Sequence, residues 1–241
     1  MNEENATGTH EQSTWGVGPY LGDPSKDPNF AKFDPELLAN GDTRNVVDQY
    51  RYWSMEAIVA DLDTKRHGYH VAIENWQHDL NIGSIVRTAN AFMAKEVHII
   101  GNRRWNRRGA MVTDRYQHVT HRPDVQSLIE WAKTASSTGG KLPIIAIDNV
   151  PGCKQIENVQ LPKECVFLFG QEGPGLSQAA LDGADMVLEI VQFGSTRSIN
   201  ASAAAAITMH SWVMQTFLVR IVSGPFALRS PKTEGVKPCP Q

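Results

Sequence analysis

The sequence predicts an α/β domain on a mostly parallel sheet with helices on both faces. Three observations carry this. Short apolar runs alternate along the chain with segments whose apolar residues return at helical spacing. One run, CVFLFG (165–170), is continuously apolar, as in strands buried on both faces. Hydrophobic residues make up 41% of the 241 and charged ones 20%, enough for a sizeable core.

The elements follow in order. Residues 1–44 are rich in Gly, Pro, Asn, Asp and Glu without sustained periodicity and read as a flexible N-terminal arm. Val46, Val47, Tyr50, Trp53, Ala57, Ile58 and Leu62 recur at helical spacing, predicting an amphipathic first helix. Strands are expected at 70–74, 96–101, 142–148, 165–170 and 185–190. Helices are expected at 81–94, at 125–135, at 177–184 with Ser177 as N-cap, and from about Ser198 to Val222. Four prolines in 224–241 exclude a regular helix, so that segment reads as a tail and the domain proper as 45–223. In a parallel sheet ligands bind beyond the carboxyl ends of the strands, which directs attention to the loops after 74, 101, 148, 170 and 190.

Composition excludes several classes. No apolar run approaches the roughly 18 residues of a membrane span. The polar, acidic start has neither the basic nor the apolar region of a secretory signal. Cys153, Cys165 and Cys239 are odd in number and widely spaced, so neither a disulfide framework nor a metal site is expected, and a reducing cytoplasm fits. The net charge of −3 argues against indiscriminate nucleic-acid binding, although a whole-chain sum hides local patches.

Three segments carry candidate chemistry. In NIGSIVRTANAF (81–92), Asn81 stands at a helix start and Arg87 six positions on, about 120° around the helix axis; an amphipathic helix with one snorkelling arginine explains the pattern equally. In FLFGQEGPGLS (167–177) an apolar strand runs into glycines at 170, 173 and 175, which let backbone approach a ligand closely. It lacks the Lys of a P-loop and the G-x-G-x-x-G spacing of a dinucleotide site, and a ligand-free turn is the bland alternative. In EIVQFGSTRSINASAAAAITMHSW (189–212) a loop containing Gly194 leads into a helix near Ser198 and Asn200, followed by alanines that leave a face of little bulk or simply reflect helix propensity.

Together and in this order the three segments resemble the SpoU (TrmH-like) family of RNA 2′-O-ribose methyltransferases of the SPOUT superfamily. Asn81, Gly83 and Arg87 match its first motif. Gly170, Glu172, Gly173, Gly175, Leu176 and Ser177 match its second, and Ile190, Gly194, Ser198 and Asn200 its third. Ile199 replaces the usual leucine, and Val191 and Gln192 replace a common Pro-Met pair. The resemblance covers roughly residues 68–222.

The resemblance implies a C-terminal deep trefoil knot, a homodimer, and S-adenosylmethionine held largely by backbone groups at Gly170, Ile190 and Ile199, with the strand end at Ile147 beside the same crevice. It implies Arg87 as the central catalytic residue, oriented with the ribose by Asn81, Glu172, Ser198 and Asn200. A guanidinium stays protonated, so Arg87 reads as a phosphate clamp that stabilises developing negative charge at least as readily as a general base.

Residues 101–122 hold Arg103, Arg104, Arg107, Arg108, Arg115 and Arg122 with Asp114 as the only acidic residue, interleaved with Trp105, Tyr116, His118 and His121. Arginine for phosphate and aromatics for unstacked bases is RNA-binding equipment, although a solvated charged loop has the same composition. The expected partner is tRNA or rRNA, with tRNA favoured because no large additional RNA-binding domain is evident. The competing readings are an RNA-binding module with a vestigial cofactor pocket and an enzyme acting on a small molecule.

Overall fold

The computed structural model describes residues 16–76 and 81–218, which fall into two compact units, Met1–Thr64 and Lys65–Gln241. The expected tail at 224–241 and the first 15 residues lie outside the described residues.

The first unit differs from expectation. Residues 16–44 are not a featureless arm. They form 3-10 turns at Pro24–Lys26 and Phe30–Lys32 and a short helix α1 (Pro35–Asn40), started by the Asp34 cap and Pro35 and stopped by Gly41 at φ +88°. The two compact units divide between Thr64 and Lys65. The helix expected from Val46 begins only at α2 (Met55–Asp63), where the Ser54 hydroxyl accepts from Ala57 N. The cause is Asp42. Its fully buried carboxylate accepts from Arg44 Nε at 2.9 Å, Arg44 Nη2 at 2.7 Å and Tyr52 N at 3.0 Å. Those bonds draw 44–52 into a loop, with Tyr52 in the left-handed region at φ +64°. Tyr20, Phe33 and Tyr52 close an aromatic cluster beside it.

The second unit is the expected α/β domain. Among the described residues its strands are β1 (Tyr69–Asn75), β2 (Val97–Gly101), β3 (Val119–Arg122), β4 (Ile144–Ile147), β5 (Lys154–Gln155), β6 (Cys165–Phe169) and β7 (Met186–Glu189). They form one wholly parallel sheet in the order β3-β2-β1-β6-β4-β7-β5. β1 and β6 are buried along their whole length, which their central place in the sheet requires. β3 and β5 went unforeseen because they are short, polar edge strands without an apolar alternation.

Side chains alternate strictly between two cores. Tyr69, Val71, Ile73, Ile145, Ile147, Cys165, Phe167 and Phe169 face α3 (Asn81–Ala91) and α6 (Ala201–Val213). Ala72, Ile144, Ala146, Val166 and Leu168 face α4 (Val125–Ala132) and α5 (Gln178–Gly183). Helices therefore cover both faces. Ser177 caps α5 as expected. The last helix starts later than expected, because Asn200 and not Ser198 is its N-cap, and it passes into a π turn at Met214–Leu218; 219–222 lie outside the described residues. No helix among the described residues is long and apolar enough to cross a membrane.

One polar group is buried in the core of α4. His70 and His98, on adjacent strands, stand 3.1 Å apart ring nitrogen to ring nitrogen under Trp131. Arg122 Nε, a donor only, points at His98 Nδ1 from 3.4 Å, so His98 carries its proton on Nε2 and donates it to His70 Nδ1. Glu96, held by the Thr120 hydroxyl, lies 3.8 and 3.9 Å from the two rings. Burial, with help from the Lys95 and Arg122 charges, lowers His70 to about 4, and burial lowers His98 as well. Both are thus neutral in the folded chain, while an unfolded histidine titrates near about 6.5. Protons bind the unfolded state first, so stability is complete above about pH 6.5 and falls as pH drops toward 4. We expect His70 alone to cost roughly 2 kcal/mol by pH 5. Urea unfolding midpoints at pH 7.5 and 5.0 check this: a His70→Gln, His98→Gln double variant should lose less between them than the native chain.

Candidate functional site

The carboxyl ends of β4, β6 and β7 open into a cavity of about 500 Å³. Three loops wall it: 147–150 after β4, 169–176 after β6, and 190–201 between β7 and α6. Ile147, Gly170, Ile190 and Ile199, the four residues expected at a cofactor, all line it, as do Glu172, Ser198 and Asn200.

The middle wall owes its shape to Gly170. There the chain doubles back so tightly that a Cβ on Gly170 would stand 2.2 Å from Gly175 C and 2.4 Å from Leu176 N. Gly175 N donates to Gln171 O at 3.2 Å, closing the loop, and Gly173 and Gly175 take φ of +94° and +72°. Asp148, at the end of β4, accepts from Leu176 N at 3.3 Å and ties this loop to the neighbouring wall. The sequence reading ended a strand at Asp148 without assigning it a part.

Three of the predicted catalytic residues meet although 91 and 119 positions separate them. Asn81 Nδ2 donates to Glu172 Oε2 at 2.7 Å, and Asn200 Nδ2 donates to Asn81 Oδ1 at 2.8 Å. Asn200 Oδ1 meanwhile accepts from Ser202 N at 2.9 Å as the cap of α6. One amide thus links the start of α3, the glycine loop and the start of α6. Ser198 lies on the rim without capping the helix. Arg87 is not gathered with them. It is exposed on α3, does not line the cavity, and forms no hydrogen bond or ion pair among the described residues.

Gly83 has a different role from the other motif glycines. A Cβ there would come within 2.8 to 2.9 Å of Ala110 N, Asn106 O and Gly109 Cα, so its absence lets the arginine-rich segment lie against α3. Arg103, Arg104, Arg107, Arg108 and Arg115 are all exposed, with Arg107 paired to Asp114 at 3.2 Å. Of the four aromatics nominated beside them, His118 is exposed and the other three are engaged elsewhere. Tyr116 is buried, Trp105 packs against the α3/α6 core, and His121 bonds Gly101 O. Arg122 stacks over Trp131 at 4.7 Å instead of joining the patch.

Sequence reasoning missed a second network at the end of β1. Glu74 is fully buried. It accepts from Ser177 N at 2.7 Å and from Trp76 Nε1 at 3.1 Å. Asn75, equally buried, donates to Asn102 O at 2.7 Å and Arg104 O at 2.9 Å, anchoring the start of the basic segment. The available signal was two polar residues ending a run that is otherwise apolar.

The glycines make a contrast that unfolding can read. Gly170→Ala drives a Cβ into backbone, while Gly173→Ala meets open space and suffers only its left-handed φ. We expect Gly173→Ala to lose about 1–2 kcal/mol and Gly170→Ala distinctly more, measured by denaturant unfolding.

Comparison with known proteins accords with this geometry. A tRNA (guanosine(18)-2′-O)-methyltransferase of Saccharomyces cerevisiae is 41% identical over 58 residues, 24% of this chain and 4% of that protein. Its counterpart in Borreliella burgdorferi is 36% identical over 72 residues, 30% of this chain and 33% of that protein. The chain thus spans well under two thirds of these relatives. Among solved structures, the SpoU methyltransferase AviRb from Streptomyces viridochromogenes in complex with AdoMet shares the fold with a TM-score of 0.56 at 23% identity, over 62% of this chain and 58% of that one. The A. aeolicus TrmH/SpoU tRNA modifying enzyme also gives 0.56, at 20% identity over 67% and 83%. The SpoU rRNA Methylase family matches residues 68–210, more than half of the chain and all three walls of the cavity, and the chain belongs to that family.

Proposed function

We propose that the chain is an S-adenosylmethionine-dependent methyltransferase acting on a ribose 2′-hydroxyl of RNA. The carrying observation is the cavity at the sheet's carboxyl edge, two of whose walls are the second and third family segments, tied to the first through Asn81. Its volume of about 500 Å³ suits a small molecule. The doubled-back loop at Gly170 presents backbone rather than side chains, as an adenine edge needs. S-adenosylmethionine supplies a sulfonium methyl group. The residues of this chain supply position: Ile147, Ile190 and Ile199 give apolar walls, and Glu172, Asn81 and Asn200 hold one rim rigid. The acceptor oxygen gains carbon and loses its proton, and a cation nearby lowers the cost of the charge that develops on it.

Arg87 is our candidate for that cation, as phosphate clamp in preference to base. Its exposure away from its own cavity favours a homodimer in which it serves the partner's site. α6 favours the same arrangement. Its apolar residues are not confined to the buried side: Ala205, Met209 and Trp212 are buried, while Ile207 on the same helix and Met214 just beyond it are exposed. The family's trefoil knot belongs to this reading too, supported by the insertion of β6 between β1 and β4 and of β7 between β4 and β5.

RNA as substrate gains support from charge. The unit at 65–241 carries 19 Lys and Arg against 14 Asp and Glu, and 1–64 carries 4 against 12, so the net −3 conceals a basic family domain. tRNA is favoured over rRNA by the two named tRNA-modifying relatives. Transfer from labelled S-adenosylmethionine to unmodified tRNA and rRNA, read as 2′-O-methylnucleosides by mass spectrometry, tests the proposal; absence of cofactor binding would make the chain a binding module, and cofactor binding without transfer to either RNA would point to a small-molecule substrate.

Arg87→Ala is expected to lower turnover by a factor on the order of 10²–10³ with cofactor affinity unchanged, by calorimetry and single-turnover assay. An Arg103→Ala, Arg108→Ala double variant should weaken RNA binding across sequences and flatten the plot of log affinity against log salt by about one to two units, in filter binding.

A further inference from the structure

Tyr116 is buried and Trp105 packs against the core, while another aromatic stands beside the arginine-rich segment. Trp76 follows β1 directly. Its indole lies over Gly101, where a Cβ would come 2.7 to 3.0 Å from three ring atoms. Its Nε1 is held by Glu74. Its backbone N donates to Gln171 Oε1 at 3.2 Å, and its carbonyl accepts from Asn102 Nδ2 at 2.9 Å. The glycine loop and the basic segment thus both grip this residue. Yet 42% of its surface is exposed, on the edge of the sheet where ligands bind. The ring is thus held on one side while its other surface faces solvent at that edge. Phe193 is more exposed, at 95%, but sits in a loop with no comparable clamp.

We infer that Trp76 is the stacking platform for an unpaired RNA base. The inference rests on the methyltransferase reading and adds the subsite that receives nucleobases flanking the reactive ribose. A ring immobilised before binding loses little entropy when a base stacks on it. Arg103 and Arg104, the second and third residues after Gly101, the latter with its carbonyl held by Asn75, then take the adjoining phosphates. Recognition by stacking tolerates any base, so Trp76 contributes affinity and position, leaving sequence choice to other groups.

Trp76→Phe and Trp76→Leu separate stacking from support, since both lose the Glu74 bond and both still cover Gly101. The probe is a short single-stranded oligoribonucleotide carrying one 2-aminopurine, bound to the full chain. We expect the native chain to quench the probe and Trp76→Phe to keep most of that quenching. We expect Trp76→Leu to lose quenching and bind about tenfold more weakly, with S-adenosylmethionine affinity and thermal unfolding matching Trp76→Phe. Equal RNA binding and quenching by the Leu and Phe variants overturns the inference. So does a change of oligomeric state in Trp76→Leu with RNA affinity intact, which assigns the ring to a protein contact. Absence of RNA binding by the native chain overturns the underlying methyltransferase reading as well.

Discussion

The amide of Asn81 is the point on which the site depends. It is the first residue of α3, nearly buried, and both its donor and its acceptor are committed. On one side it holds Glu172 and with it the loop that doubles back at Gly170. On the other it holds Asn200, whose own oxygen caps α6. Neither an aspartate nor a leucine serves here, because the position must give one hydrogen bond to a carboxylate and take one from an amide. Removing the side chain breaks both bonds and unties the glycine loop and the start of α6 from α3. Three segments distant in sequence acquire a fixed relation through a single side chain.

Glycine supplies the second constraint, and its positions are not equivalent. Gly170 is required because backbone crosses backbone, and Gly83 because the basic segment must lie on α3. Gly101 is required for the ring of Trp76. Each marks a close approach between two parts of the site, so one residue type, placed three times, brings the cavity, the arginines and an exposed aromatic to the same sheet edge. Asn75 and Glu74 complete the connection through bonds to Arg104 O and to the amide that opens α5.

Much of this was legible in the sequence because it is periodic or motif-bound. β1 and β6 announce themselves as apolar runs, and α3 and α4 as helical stripes. The cavity-lining set Ile147, Gly170, Ile190 and Ile199 came from resemblance and is gathered in one wall system. What was illegible has a common cause. Asp42 bends 44–52 through side-chain bonds that carry no periodicity, so neither that bend nor the turns and short helix within 16–44 show in the spacing of apolar residues. Tyr116 and Trp105 read as base-stacking residues since composition does not say which way a ring points. Arg87 stands in the right motif, and its distance from its own cavity depends on 120° of helix rotation that only coordinates place against neighbours.

The central claim is that the cavity at the carboxyl ends of β4, β6 and β7 binds S-adenosylmethionine. Hydrogen–deuterium exchange with and without the cofactor tests it most directly, since it locates the ligand without requiring the RNA. The account predicts added protection at 147–150, 169–176 and 190–201, with 103–115 unchanged. Protection confined to other segments, or none at saturating cofactor, would contradict it.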